Sequence, residues 1–431
     1  MKATKFKMTE LGPIPADWEV KRLGDCGDFI GGSVFPLRCQ GEKSGDYPFF
    51  KVSDFSNAGN EYSLSLSNNY ISKSMAQSLR CQIIPNQSIV FAKIGAAIAL
   101  ERKRMVCQDS CIDNNMMAFH VNDKVDVHYC LELLKKLKFA DFSESTALPA
   151  LNIRRLRDCA IALPPLPEQR RIAAALSDVD ELIGALGKLV EKKRAIKTGA
   201  MQRLLTGQTR LPGFGGAEFK QTELGPIPSD WEVKRLGEIA SVITKGTTPT
   251  SVGCEFEQYG INFIKAESIS DNGAFLDEMF AHISERTNMF LSRSILKEDD
   301  YLFSIAGVLG RVALVPENVL PANTNQALAI IRLDTKFQID KRYLLFALKS
   351  GYIKNRVKAE NVAAAQANLS LQDVSSFHIA LPTLPEQRAI AAVLSDMDAE
   401  IAALEAEKRK VESIKQGMMQ ELLTGRVRLM Q

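Results

Sequence analysis

An excess of charge of one sign is what this sequence most plainly lacks. Its 54 lysines and arginines exceed its 51 aspartates and glutamates by only three, so no global basic field advertises a nucleic-acid partner. Tryptophan occurs twice and histidine four times in 431 residues. The histidines, His120, His128, His282 and His378, form no pair at metal-ligand spacing. No apolar run approaches the length of a membrane span. The opening Met-Lys-Ala-Thr-Lys-Phe-Lys has basic residues but no apolar core, so no secretory signal is expected. Eight cysteines are scattered without a framework, which favours free thiols in a reducing, cytoplasmic compartment. The length is a prior for about three domains.

Catalytic patterns are present only in fragments. Glu19-Val-Lys21 and Glu232-Val-Lys234 contain the Glu-x-Lys of a metal nuclease, but the further carboxylate such a site needs is not evident. Asp46-Tyr-Pro-Phe49 has one proline too few for the Asp-Pro-Pro-Phe of amino-methyltransferases, and no glycine-rich cofactor loop accompanies it. Gly184-Ala-Leu-Gly187-Lys188 has the wrong spacing for a phosphate loop and lacks the following Ser or Thr. Cys107 and Cys111 could supply two zinc ligands, but no second pair follows. No serine stands in a Gly-x-Ser-x-Gly elbow. The chain is expected to be no enzyme, and to hold no metal or cofactor of its own.

Repetition is what the sequence has instead. Residues 163–207 begin Leu-Pro-Pro-Leu-Pro-Glu-Gln-Arg and end Leu-Leu-Thr-Gly. Pro167 suits a first helical turn, Glu168 suits the positive end of the helix dipole, and Gly207 suits a C-terminal stop. Between them Ile172, Leu176, Val179, Ile183 and Leu186 alternate four and three residues apart, the seam of a coiled coil. Roughly 38 helical residues would make a rod near 57 Å long. Residues 381–425 repeat the pattern at a shift of 218, with Ile390, Leu394, Met397, Ile401 and Leu404 in the seam. Lys193, Lys197, Lys408 and Lys415 interrupt the two seams, as polar residues that specify register do. Matching stripes in one chain are most simply buried against each other.

A second repeat precedes each block. Thr9 to Gly24 and Thr222 to Gly237 differ only at Ala16 and Ser229, and each contains one of the two tryptophans, Trp18 and Trp231. Gly-Pro-x-Pro excludes helix there, so an extended turn with a core-anchoring tryptophan is expected. In the first block strands are predicted at 47–52, 88–92 and 116–121, and a helix at 127–139. In the second, strands are predicted at 261–265, 301–305 and 327–333, and a helix at 342–359. Little sequence is shared, but Phe49-Phe-Lys51-Val-Ser53 answers Phe263-Ile-Lys265-Ala-Glu267, and Phe91 to Gly95 answers Phe303 to Gly307. The expected fold is mixed α/β: two similar α/β blocks separated by two long antiparallel coiled-coil helices in a pseudo-two-fold, circular arrangement. Compact domains keep their ends close, which is what makes the helices antiparallel. The boundaries are 1–162 for the first block and 163–207 for the first helix. A loose glycine-containing linker at 208–221 follows, then the second block at 222–380 and the second helix at 381–431.

This arrangement closely resembles the specificity subunit of type I restriction–modification enzymes. The resemblance rests on the two Leu-Pro-x-Leu-Pro-Glu-Gln-Arg starts, their Leu-Leu-Thr-Gly ends and the duplicated Ile-Pro-x-Asp-Trp-Glu segments. Lys245-Gly-Thr-Thr-Pro-Thr250 and Leu302 to Gly307 look like family landmarks; the first block departs at the former place with Gly31-Gly-Ser-Val-Phe-Pro36. The resemblance implies that the blocks are target recognition domains, each reading half of an asymmetric bipartite site in double-stranded DNA. The helices would set the spacer and dock two methyltransferase subunits bringing S-adenosylmethionine. Motor–nuclease subunits would bring ATP and Mg²⁺. Candidate DNA contacts are Lys51, Ser53, Lys93, Arg102, Arg104, Asn152 and Arg154 in the first block. In the second they are Lys245, Thr247, Lys265, Arg311 and Asn325. The rival expectation is a coiled-coil scaffold that joins proteins without reading DNA.

Overall fold

The computed structural model describes residues 5–144, 149–216, 218–363 and 368–429. The chain divides into two compact units, residues 1–187 with 406–431, and residues 188–405. Each therefore contains one block, the start of one long helix and the end of the other.

In the first unit the repeated segment is a hairpin, Phe6–Thr9 against Gly12–Pro15, followed by the strand Glu19–Arg22. That strand pairs antiparallel with Ala160–Leu163, which closes the block just before the long helix begins. The central sheet has five strands in the order Gly27–Gly31, Met116–Val121, Ile89–Ala92, Lys103–Val106, Ser63–Leu64. Successive side chains of a strand face opposite ways. Met117, Phe119, Ile89 and Phe91 point into one core; Met116, Ala118 and Val90 point into another. Both faces of the sheet are thus covered, which is why these strands read as unbroken apolar runs. The first core also holds Trp18, the helix Val127–Lys136, and Ile172, Leu176, Met419, Leu422 and Leu423 from the two long helices.

The second unit repeats this plan with different residues. Its hairpin is Phe219–Thr222 against Gly225–Pro228, and Glu232–Arg235 pairs with His378–Leu381. The sheet runs Ala240–Lys245, Leu328–Leu333, Tyr301–Ser304, Val312–Leu314. Tyr301, Phe303, Ala329 and Ile331 face the core shared with Trp231 and the long helices, and Leu302, Leu328 and Ile330 face the other. The single helix predicted at 342–359 is two, Lys341–Leu348 and Gly351–Ala363. Ser350 starts the second: its carbonyl accepts from Lys354 N and its hydroxyl from Ile353 N.

The long helices are Leu166–Leu205 and Leu384–Leu422. In the first unit Asp180 pairs with Lys415 at 2.6 Å, and Gly187 lies opposite Lys408. In the second, Lys193 pairs with Glu400 at 2.5 Å, Arg194 with Glu405 at 2.6 Å, and Lys197 with Asp398. Within each unit, partner numbers fall overall as the first helix advances, so the segments run antiparallel. None of the ten predicted seam residues is exposed: Ile172, Leu176, Ile183, Ile390, Leu394 and Ile401 are buried, and Val179, Leu186, Met397 and Leu404 are half-buried. Three of the four interrupting lysines have carboxylates on the opposing helix. Lys408 pairs with Glu412 on its own helix at 3.7 Å.

The repeated motifs lock the ends of these helices. Glu168 accepts from Trp18 Nε1 at 3.1 Å and from Arg428 at 2.6 and 2.7 Å; Arg428 also grips Asp17 at 2.7 Å. In the second unit Glu386, Trp231, Arg210 and Asp230 repeat the constellation. The neighbouring glutamines, Gln169 and Gln387, each accept from the backbone N–H of the N-cap aspartate of a block helix, Asp126 and Asp340. Gly207 and Gly425 have φ of +68° and +71°, and a Cβ at either would strike a proline ring, Pro228 or Pro15. Directly after Gly207, the start of the 208–221 segment is held in place. Arg210 is pinned, and Leu211 packs on the core.

Candidate nucleic-acid interface

In the second unit the five candidates converge on one end of the strands. Lys245 closes its strand and is exposed. Gly246 then passes so close to the next chain that a Cβ would lie 1.8 Å from the Thr324 carbonyl oxygen, a place only glycine can occupy. Its N–H donates to Asn325 O at 3.1 Å. Lys265 follows the strand Ile261–Ile264, whose Ile264 pairs with Thr324, and its Nζ lies 4.8 Å from the centre of the Phe256 ring. Arg311 donates to Asp271 at 2.8 Å and to Ala266 O at 3.3 Å, spanning the turn after Lys265. Thr247 and Asn325 complete the group.

The first unit gathers a smaller set at the equivalent end. Asp54, fully buried, accepts from Lys51 N at 2.6 Å and from Asn68 N at 3.1 Å, which shapes the turn Val52–Ser56 and presents Lys51 and Ser53. Lys51 Nζ donates to Gln40 at 2.9 Å. Arg102 donates to Ser56 at 2.7 Å, on the same turn. Lys93 follows the strand Ile89–Ala92 and is tied to Asn115 O and Leu151 N.

The remaining candidates of the first block are Arg104, Asn152 and Arg154. Lys103, between Arg102 and Arg104 in the sequence, has no exposed side chain. Its Nζ bonds Glu101 at 2.5 Å and Leu137 O at 2.8 Å, and lies 4.0 Å from the centre of the Phe139 ring. Burial holds its pKa below the ordinary lysine value. It is a core cation. Arg104 turns back to Asn60 O and Lys103 O, and burial lowers its pKa also. Asn152 caps the short helix Ile153–Arg157, with its Nδ2 given to Glu144, and Arg154 lies exposed on that helix.

The structure also shows which loop of the first block matches Lys245–Thr248. A Cβ on Gly32 would lie 1.8 Å from Asp113 O, the approach made by Gly246 to Thr324. Gly31-Gly32-Ser33 is therefore the counterpart of Lys245-Gly246-Thr247. It carries no lysine, and it leads into Val34 and Leu37, both well exposed. The two blocks share a scaffold and present unlike surfaces from it.

Against known families, the type I restriction modification DNA specificity domain matches residues 15–193 and again 228–413. The chain belongs to the type I restriction–modification specificity family. The MjaVIII specificity subunit of Methanocaldococcus jannaschii is 26% identical over 439 residues, covering 99% of this chain and 97% of that one. The EcoBI specificity subunit of Escherichia coli is 26% identical over 263 residues, 58% of this chain and 53% of the other. The crystal structure of the Type-I restriction-modification system S subunit from M. genitalium has the same fold. Its TM-score is 0.55 at 15% identity, over 97% of this chain and 98% of that one. A structure described under complex assembly and conformational transition of the type I R-M system superposes at TM-score 0.58 and 18% identity, over 96% and 99% of the two chains.

For a specificity subunit, two features of the site lay outside the sequence reading. Arg293 and Gln326 border the Lys245 loop, and Ser33 takes the place of Thr247. The glycine in each strand-to-loop step was the available signal, since both Gly32 and Gly246 sit directly after the end of a strand. Among the described residues no three His, Cys, Asp or Glu side chains group closely enough to hold a metal ion. Glu19 is paired with Lys21 at 2.9 Å at the surface, and Asp17 beside it belongs to Arg428. No helix among the described residues is long and apolar enough to cross a membrane.

Proposed function

We propose that residues 1–162 and 222–380 each read one half of an asymmetric bipartite sequence in double-stranded DNA. The long helices, 163–207 and 381–431, set the spacer and dock two methyltransferase subunits. The observation that carries this is the pairing of one scaffold with two unlike loop ends. A reader of a symmetric site needs identical ends, and a scaffold that only joins proteins needs no such loops. The chain itself makes and breaks no covalent bond. S-adenosylmethionine, ATP and Mg²⁺ belong to methyltransferase and motor–nuclease partners in the cytoplasm, and this chain supplies them with an address. Lys51, Ser53, Lys93 and Arg102 on one block, and Lys245, Thr247, Lys265, Arg311 and Asn325 on the other, stand at the DNA. Arg104 and Asn152 contribute less, because their side chains are engaged within the block, and exposed Arg154 is a further candidate.

The test is selection from random duplex DNA by the chain assembled with its methyltransferase subunits. The reading predicts two conserved segments separated by unconserved positions, with affinity falling as salt rises. Enrichment of one uninterrupted motif, or binding without sequence preference, would contradict it.

A further inference from the structure

We propose that Arg293 and Gln326 recognise guanine in the half-site taken by the second block; the inference rests on the DNA-reading function above. Arg293 lies in the tight turn Ser292–Ser294, directly after the short helix Glu285–Phe290. That turn is held rigidly from beneath. Asn323 donates to Asn288 Oδ1 at 2.8 Å and to Leu291 O at 3.2 Å, while Leu291 and Ser294 are buried. Arg293 between them is exposed, and one of its N–H groups donates to Thr247 Oγ1 at 3.3 Å. A guanidinium has five such groups in a fixed fork, so most of the fork remains open beside the loop.

Gln326 is constrained from the adjacent residue. Its Oε1 accepts from Thr248 N at 3.1 Å and from Thr248 Oγ1 at 2.5 Å. A backbone N–H can only donate, so the side-chain atom facing it must be the oxygen, and the amide cannot be turned over. Both acceptor positions of that oxygen are taken. What Gln326 offers outward is the amide nitrogen with two donors.

The two groups are anchored on neighbouring threonines, and both present donors only. In the major groove guanine shows two adjacent acceptors, N7 and O6, whereas adenine shows N7 beside a donor and cytosine shows a donor. Glutamine usually selects adenine by pairing its own oxygen with N6–H, and here that oxygen is unavailable. A donor-only pair held in this way favours guanine and rejects the bases that need an acceptor in return.

The experiment uses the full chain assembled with its methyltransferase subunits and the selected target duplex. Arg293→Ala and Gln326→Ala are compared with the parent and with Arg286→Ala, an exposed arginine on the preceding helix. The expected result is a guanine in one half-site at which Arg293→Ala loses roughly tenfold to a hundredfold of discrimination, the scale of one bidentate contact. The other half-site and the Arg286→Ala complex keep their preferences. Replacing that guanine by 7-deazaguanine should weaken the parent complex and leave Arg293→Ala nearly unchanged. Uniform weakening on all sequences would make Arg293 a phosphate contact and overturn the proposal, as would a half-site without guanine or an unaffected variant. A parent complex with no sequence preference would overturn the functional reading itself, a failure distinct from these.

Discussion

Arg428 should be among the most costly single side chains to remove from the first unit, although it lies six residues beyond the end of the last helix. Replacing it with alanine strips two charge-assisted bonds, at 2.6 and 2.7 Å, from Glu168, a carboxylate only 2% exposed. Breaking a buried pair by deleting one partner costs about 3–5 kcal/mol, because the other charge is left without compensation. Trp18 Nε1 still donates to Glu168 at 3.1 Å, which places the expected loss near the lower end. For a unit of roughly 200 residues, ~3 kcal/mol corresponds to a fall of about 6–12 °C in melting temperature. Adding Glu168→Gln should recover part of this, since the amide carries no charge to bury. Differential scanning calorimetry of the parent, both single variants and the double variant closes the cycle. A melting temperature for Arg428→Ala within about 2 °C of the parent would refute the reasoning. So would a double variant that loses as much as the two singles together. The pH dependence has a defined sign. The Arg428 guanidinium holds the Asp17 carboxyl below its ordinary value of 3.8. The contribution of Asp17 is therefore complete above that value and is lost only as pH falls through the lower folded-state value.

Lys349 titrates the other way. Burial, reinforced by nearby Lys197, pushes its pKa down to about 8, while its Nζ donates to Asn272 O at 2.7 Å. Between pH 8 and its unfolded value of 10.5 the unfolded chain binds the proton that the folded chain has released, so this residue makes stability rise with pH. Relative to Lys349→Met, the parent should gain thermal stability between pH 8 and 10; parallel curves would contradict the assignment. Gly246→Ala should cost about 1–3 kcal/mol through the collision with Thr324 O. It should also weaken recognition of the second half-site only, and Gly32→Ala should do the same to the first. Equal effects of either variant on both half-sites in a binding selection would count against independent readers.

The long helices were legible because a heptad stripe, a proline start and a glycine stop all report local geometry, and geometry within one helix depends only on near neighbours. The tryptophan repeat was legible as an anchor, but not its purpose. That Glu168 answers Trp18 and Arg428 could not be read, because the three are brought together across 150 and 260 residues. That Arg102 and Lys103, adjacent in the sequence, have different surroundings could not be read either. A lysine on a strand alternates sides with its neighbours, so Lys103 enters the core while Arg102 does not. At the loop ends, Lys245 and Lys265 could be proposed because each stands in a motif visible in the sequence, Lys245-Gly-Thr-Thr-Pro-Thr250 and Phe263-Ile-Lys265. Arg293 could not, since its relevance comes from a turn that folds back onto Thr247 from 46 residues away. The helix predicted at 342–359 failed at Ser350-Gly351, where a serine cap and a glycine allow a new helix axis to start.

The most direct test of the central claim is a target selection on a chimaera in which residues 25–162 are exchanged for the corresponding block of another specificity subunit, with the chain assembled on its methyltransferase subunits. The account predicts that one half-site changes to that of the donor while the other half-site and the spacer stay as they were. A change in both half-sites, or in neither, would contradict it.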